Sequence, residues 1–342
     1  MSNSKLLAPL LGSLSSRQKE VIAGRFGLDK SAEAQTLAAI GERLNVTRER
    51  VRQIENSALV ILNKEVKKSA ACLQVLNNCK KLLKASGGVM KKEFLLEELA
   101  KLEDGMNENQ LALLIEASGE FYFYSEDEEY WSFYYLSKND LRAATGFIEG
   151  WSAFLKEHKS NILDGQYKAH LKEYSKKKHL EQNKADHFLA ISKKIHVNPY
   201  GDIGLHAWPE IRPMTTRDRA YLVLKKGGEP LHFVAIADAI NQAKLSNQEA
   251  LAPTVHNELI KDERFVLVGR GIYALKESGY EPGIAREVIQ KILKSSGPLK
   301  VPEVVSAVQK QRLFKENTIV INLQNKNHFE RLPDGRYRVR ES

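Results

Sequence analysis

Two short helices, each opened by a threonine and separated by almost nothing, constrain this chain more than any other feature. Thr36 can cap a helix over TLAAIGERL, with Leu37, Ile40 and Leu44 as its inward positions. Asn45 and Val46 leave room only for a tight turn, and Thr47 caps a second helix that opens RERVRQIENSAL. Two helices joined by a three- to four-residue turn form a helix-turn-helix, whose second helix can enter a nucleic-acid groove. Advancing about 100° per residue from Arg48, the side chains of Arg48, Glu49, Arg52, Gln53 and Asn56 share one side, and Val51, Ile54 and Ala58 the other. The polar side has a particular chemistry. Arg forks match guanine O6 and N7, Gln matches adenine N6 and N7, and Glu accepts from cytosine N4. The competing reading is a helical hairpin whose charged face is merely solvated.

The stretch LSSRQKEVIAGRFGL followed by TLAAIGERLNVTRERVRQIENSAL, from about 14 to 62, resembles the fourth conserved region of primary bacterial sigma factors. The correspondence is nearly residue for residue over the second helix-turn-helix but spans under a fifth of the chain. The resemblance implies a module that reads the −35 promoter element in double-stranded DNA and packs on the β flap of RNA polymerase. Carried over by position, Arg48, Glu49, Arg52 and Gln53 would face bases. Thr47 and Arg50 would sit near phosphates, with Arg25 of the preceding helix as a further phosphate candidate. Two departures stand out. Ser57 occupies a position that is often basic in the family, and ALVILNK follows where the family is usually more basic. Each lost phosphate contact lowers affinity without changing which bases are preferred.

A chain of 342 residues is long for one domain. Its composition, 42% hydrophobic and 28% charged, is that of a folded protein. No apolar run reaches the roughly 20 residues of a membrane span. The run from Leu6 to Leu14 is short and interrupted by Pro9, so it is not read as a signal peptide. A cytoplasmic protein without a membrane partner is expected. Cys72 and Cys79, seven apart on a predicted helix, suit neither a zinc pair nor a disulfide framework and read as core residues. The net charge of +9 is uneven: residues 86–135 carry twelve carboxylates against Lys91, Lys92 and Lys101, whereas 1–70, 156–219 and 281–342 are basic. Basic segments favour polyanions.

A repeat runs through the rest of the chain. FVLVGRGIYAL from Phe265 and FERLPDGRYRV from Phe329 share an aromatic start, then Gly or Pro four later, Gly six later, Tyr eight later and an aliphatic ten later. Alternating residues on both sides of a Gly/Pro centre predict β-hairpins. IHVNPYGDIGL from Ile195 keeps that register, and FYFYSEDEEYWSFYYL from Phe121 keeps strand, turn and strand around an acidic turn. The hairpins recur every 65 to 75 residues, roughly. Ahead of the third hairpin, RAYLVLKKGGEPLHFVAIADAINQ and LAPTVHNELIKDE predict helix, Gly-Gly break, short strand, helix, helix. With the hairpin, that is the order of a winged helix-turn-helix. KKLLKASGGVMKKEFLLEELAKL and IAREVIQKILKSSGPLKVPEVVSAVQKQ open similar units.

Residues of about 215–275 resemble the HARE-HTH family, a winged-helix type, through RDRAYLVLKKGGEPLHFVAIADAI and FVLVGRGIYAL. That resemblance implies nucleic-acid or polymerase-associated interaction and no catalysis. The expected fold is mainly α with small β-hairpins: a sigma region 4-like helix-turn-helix domain (1–70) and then tandem winged-helix domains. These are an acidic unit (71–138), a divergent unit with a helical insertion (139–212), a HARE-type unit (213–279) and a C-terminal unit (280–342). The wing tips Arg270 and Arg336 are candidate DNA contacts. The aromatic hairpin from Phe121, with four carboxylates at Glu126–Glu129, suits packing on helices or on a protein better than stacking on bases. Lys176–Lys178 reads as a solvated helix face.

His196, His206, His232 and His256 show no metal-ligand spacing, no phosphate-cradling glycine loop is present, and no nucleophile elbow appears, so neither an enzyme nor a cofactor is expected. The expected function is a DNA-binding transcription regulator associated with RNA polymerase. A complete sigma factor is not expected, because these residues hold no counterpart of the aromatic-bearing basic helix that the resemblance implies for melting the −10 element. Two alternatives stay open: a polymerase-docking protein without base readout, and a DNA-recognition subunit of a restriction or defence system.

Overall fold

The computed structural model describes residues 6–29, 33–103, 105–280, 283–311 and 314–340. Helices dominate, accompanied by small antiparallel strand pairs. The chain separates into two compact units, Met1–Ile195 and His196–Ser342.

The first unit opens with α1 (Leu7–Gly12), α2 (Ser16–Phe26), α3 (Leu37–Leu44) and α4 (Arg48–Lys68). Each boundary has a local cause. Ser15 and Gln18 form a capping box at the start of α2, and Gly27 ends it in the left-handed conformation (φ 61°). The Thr36 and Thr47 hydroxyls accept from the amides of Ala39 and Arg50, at 3.1 and 3.2 Å, opening α3 and α4. Both threonine caps are where the sequence puts them.

The chain continues with α5 (Ala70–Ala85), β1 (Val89–Lys91), α6 (Lys92–Leu102), α7 (Glu108–Ser118), β2 (Tyr122–Tyr124) and β3 (Phe133–Tyr135). The sheet order is β1-β3-β2, so the short first strand pairs with the second strand of the hairpin. The aromatic hairpin is two-sided. Tyr122 stacks on its cross-strand partner Tyr135 at 5.1 Å and Tyr124 on Phe133 at 4.7 Å, while Phe133 and Tyr134 are buried.

Residues 1–70 and 71–138 read as separate units in the sequence, yet their apolar faces meet in one core. Leu7, Leu10, Ile22, Phe26, Ala58, Leu62 and Val66 cluster with Cys72, Leu83, Leu95, Leu99, Leu111, Ile115 and Tyr134. The long ALVILNK extension of α4 is the reason. It is apolar because it packs on α7, where Asn63 Nδ2 donates to the carbonyls of Ala117 and Ser118 at 2.9 and 2.6 Å. These carbonyls end α7 and need a donor from outside that helix.

Over 139–212 the expected winged order does not form. Helices α8 (Lys138–Glu157), α9 (Lys159–Asn161), α10 (Tyr167–Lys177) and α11 (Gln182–Ala190) follow one another with no strand among the described residues between them. No glycine pair breaks the first of these helices. Its apolar residues Ala144, Phe147, Ile148, Trp151 and Leu155 keep helical spacing throughout, and Trp151 is fully enclosed by Phe154, Tyr167 and Tyr174. After α11 the chain runs along the acidic turn. Trp131 N donates to Ile191 O, Lys193 N donates to Glu129 O, and the ammonium groups of Lys193 and Lys194 pair with Glu126 and Glu129. The carboxylates at the hairpin tip are thus partly neutralised from within. Strands β4 (Ile195–Val197) and β5 (Ile203–Leu205) form the hairpin expected there.

The second unit continues with α12 (Thr216–Gly227), β6 (Leu231–His232), α13 (Phe233–Gln242), α14 (Ala252–Lys261), β7 (Phe265–Gly269) and β8 (Ile272–Leu275). Its sheet order, β6-β8-β7, repeats that of β1-β3-β2. Next come α15 (Ala285–Ser296), α16 (Val301–Gln311), α17 (Glu316–Leu323), β9 (Phe329–Arg331) and β10 (Tyr337–Val339). Here Leu299 bridges Tyr337, so a residue between the first two helices again meets the last strand. The repeat seen in the sequence is also a register: Phe265 lies opposite Leu275 and Phe329 opposite Val339, each pair ten residues apart. The two halves of this unit bury separate cores, one around Ile236, Val255 and Tyr273 and the other around Ile289, Val304 and Ile319.

Candidate nucleic-acid interface

Helices α2, α3 and α4 meet over a small apolar centre. Val21, Ile40 and Val51 are completely buried, ringed by Leu37, Leu44, Val46 and Ile54. The turn between α3 and α4 is held by Asn45 in the left-handed conformation (φ 50°, ψ 48°), which Asn tolerates better than most residues, and by Val46 N donating to Gly41 O at 2.9 Å. A β-carbon on Gly41 would stand 2.7 Å from Val46 O, so only glycine lets the second helix fold back this closely.

With Val51 and Ala58 buried, the opposite side of α4 faces outward. Thr47, Arg48, Glu49, Arg50, Arg52, Gln53 and Asn56 are all exposed. The structure therefore brings the six candidates taken from α4 and its cap onto one accessible surface. It also pairs them. Arg52 donates Nε and Nη2 to the two oxygens of Glu49 at 2.8 and 2.7 Å, and Arg50 Nη1 donates to Gln53 Oε1 at 3.1 Å. The Arg52 guanidinium holds the Glu49 carboxyl below the usual carboxylate range, so Glu49 is an anion and a pure acceptor at neutral pH. In return Glu49 raises the arginine's own value. Such exposed pairs are weak and exchange readily for water or a ligand. Arg48 has no hydrogen-bond partner among the described residues.

Arg25 is placed differently from the others. It is half-buried, donates to Glu55 Oε1 at 3.1 Å and to Gln35 O at 3.2 Å, and so braces α2 against α4. Ser57, the departure from the usual basic position, accepts from Gln18 Nε2 at 3.0 Å and joins the same brace. Sequence reasoning missed two further struts. Arg17 Nη2 donates to Leu44 O, 27 residues on, at 2.7 Å, and Arg43 pairs with Glu20 at 3.1 Å. Neither has a local pattern that would reveal it, since both partners come from different helices.

In the second unit Arg270 is exposed in the turn between β7 and β8, with no ion pair among the described residues, whereas Arg336 is tied to Asp334 at 2.6 Å. His196 and His206 do approach, ring centres 5.9 Å apart, but among the described residues no group of three or more His, Cys, Asp or Glu could hold a metal ion. Among those residues no helix is long and apolar enough to cross a membrane.

Comparison with known proteins agrees with the geometry over this module. Residues 10–64 match the family described as sigma-70, region 4. The RNA polymerase sigma factor RpoD of Helicobacter pylori is 56% identical over 50 residues, 15% of this chain and 8% of that protein. SigA of Clostridium acetobutylicum is 49% identical over 53 residues, 16% and 14% of the two chains. The RNA polymerase sigma factor sigB of Arabidopsis thaliana is 52% identical over 52 residues, 15% and 9%. This chain thus spans only a small fraction of the length of the curated relatives it matches. No solved structure matches it. The capped helices, the glycine-dependent turn and the family match coincide on the same residues, and residues 10–64 are a sigma-70 region 4 domain.

Proposed function

We propose that the protein is a DNA-binding transcription regulator that reads a short, −35-like major-groove site through α4 and associates with RNA polymerase, with the β flap as the docking point. The observation that carries this reading is the exposed row of Arg48, Glu49, Arg52 and Gln53 on the second helix of the region 4 domain. In this reading Arg48 and Arg52 address guanine, Gln53 adenine and Glu49 cytosine, while Thr47 and Arg50 hold phosphates. The pairs Glu49–Arg52 and Arg50–Gln53 open on contact, each group exchanging its neighbour for a base edge or a phosphate. Arg25 contributes by fixing the angle of α4, since its guanidinium is engaged with Glu55.

The units at 71–138, 213–279 and 280–342 fit winged helices. The shared strand orders β1-β3-β2 and β6-β8-β7, with the Leu299–Tyr337 bridge, support that reading, and residues 215–275 suit the HARE-HTH type. Arg270 then adds a backbone contact at a wing tip. Arg336 must first leave Asp334.

Selection of bound sequences from a random duplex pool, with and without RNA polymerase, tests the whole proposal. An enriched motif that an Arg52→Ala, Gln53→Ala variant loses supports base reading by α4. Retention of the same preference by that variant moves the role to polymerase docking without readout. Failure of polymerase to co-purify with the intact protein removes the docking half.

A further inference from the structure

The C-terminal unit distributes its charge in an unusual way. A winged helix ordinarily presents its third helix to the groove, yet α17, ENTIVINL, carries no Lys or Arg, and its exposed side shows Glu316, Asn317, Thr318 and Ile321. Five of the unit's cations lie on the hairpin and the loop before it. Lys326, Arg331, Arg336, Arg338 and Arg340 stand against Glu330 and Asp334 only. Two of the five are neutralised locally, Arg336 by Asp334 and Arg338 by its cross-strand neighbour Glu330 at 2.7 Å. Lys326, Arg331 and Arg340 have no carboxylate partner among the described residues. Arg340 Nη1 donates to Lys326 O at 2.9 Å, which positions it without cancelling its charge.

Lys326, Arg331 and Arg340, with Leu323, Phe329, Tyr337, Val339 and the Arg338–Glu330 ion pair, line one open cavity of about 830 Å³ between the end of α17 and the hairpin. A groove with three uncompensated cations and a fourth neutralised by Glu330, over an apolar floor of Leu323, Phe329, Tyr337 and Val339, carries a net positive charge that suits a run of phosphodiesters.

We propose that this groove is a second, sequence-independent nucleic-acid site that grips the phosphate backbone of duplex DNA through Lys326, Arg331 and Arg340. It is distinct from the base-reading surface on α4 and does not require it. Sliding the groove along a duplex changes no base contact, so its contribution is affinity and salt dependence, not preference.

The test uses the full-length chain and a random-sequence duplex, with binding followed by fluorescence anisotropy from low to moderate salt. Lys326→Gln with Arg331→Gln removes two phosphate contacts, and the slope of log K against log salt should become shallower by about 2. Affinity at fixed low salt should fall at least about tenfold, while the motif selected by the intact protein stays the same. Lys326→Glu alone, at an exposed loop position, should weaken binding in the same sense and guards against misfolding of the double variant. An unchanged slope and affinity in both variants would overturn the proposal. So would variants that keep DNA binding but lose attachment to phosphatidylglycerol vesicles, which would make the groove a lipid site. The Arg52→Ala, Gln53→Ala variant should show the opposite pattern, losing preference with its nonspecific salt slope reduced by no more than about 1, so failure at one site is distinguishable from failure at the other.

Discussion

Gly41 has to be glycine for a reason that a helix propensity scale would reverse. Alanine in the interior of α3 would gain about 1 kcal/mol of helix propensity. Its β-carbon, however, would sit 2.7 Å from the backbone oxygen of Val46, and overpacking against a backbone atom costs about 1–3 kcal/mol. The contact is with main chain, which cannot swing aside, so Gly41→Ala should lower the urea midpoint and weaken DNA binding together. One buried and one half-buried group give further expectations. Burial pushes the Cys79 thiol up to about 12, so it should resist a disulfide reagent at pH 8 until the chain is denatured. Burial also raises the Glu116 carboxyl, outweighing the opposing pull of Lys92 and Arg25. A carboxyl held above its unfolded value favours folding while both states are protonated, and the benefit is lost as pH rises through the folded value. Glu116→Gln should therefore raise the melting temperature at pH 7, with the difference shrinking as pH falls toward 4. An equal gain at both pH values would point to packing instead of ionisation.

Among the elements, α4 does two jobs along its length. Its first turns carry the exposed polar row, and its last turns are structural, burying Leu62 and Val66 against the acidic unit. Asn63 joins these regimes to the end of α7, and Asn63→Ala should cost about 1–3 kcal/mol by leaving the Ala117 and Ser118 carbonyls without their donor. Calorimetric melting of the full chain reads this as a shift of the transition that contains the first unit. The start of α4 was legible in the sequence, because a threonine cap and helical periodicity act within a few residues. The role of ALVILNK was not. As a sequence it is only a thinner basic flank; what covers it is a helix about fifty residues later. The same limit explains the second repeat. Its hairpin β4–β5 was visible from Pro199 and Gly201, which set a local turn, but the preceding winged order was inferred by analogy with the other units. The aromatic packing around Trp151 instead sustains helices in series.

At the scale of the molecule, the shared core means that the region 4 domain is not a detachable head. A fragment ending at residue 70 would expose the face of Ala58, Leu62 and Val66, and each large aliphatic side chain returned to water forfeits about 1.5–3 kcal/mol. Such a fragment should show frayed α4 helicity and no cooperative transition by circular dichroism, whereas residues 1–195 should melt cooperatively. Cooperative melting of the short fragment would show that the packing on α7 is dispensable. The sequence by itself determined the capped helix pair, its outward-facing Arg48, Glu49, Arg52 and Gln53, the hairpin registers and the basic and acidic segments, because caps, turns and periodicity are short-range forces. Only the tertiary structure decided that α7 closes the back of the region 4 domain, that Arg25 and Ser57 brace α4 internally, and that the free cations of the last unit share one groove. Those outcomes depend on contacts between residues tens of positions apart, which no local pattern encodes.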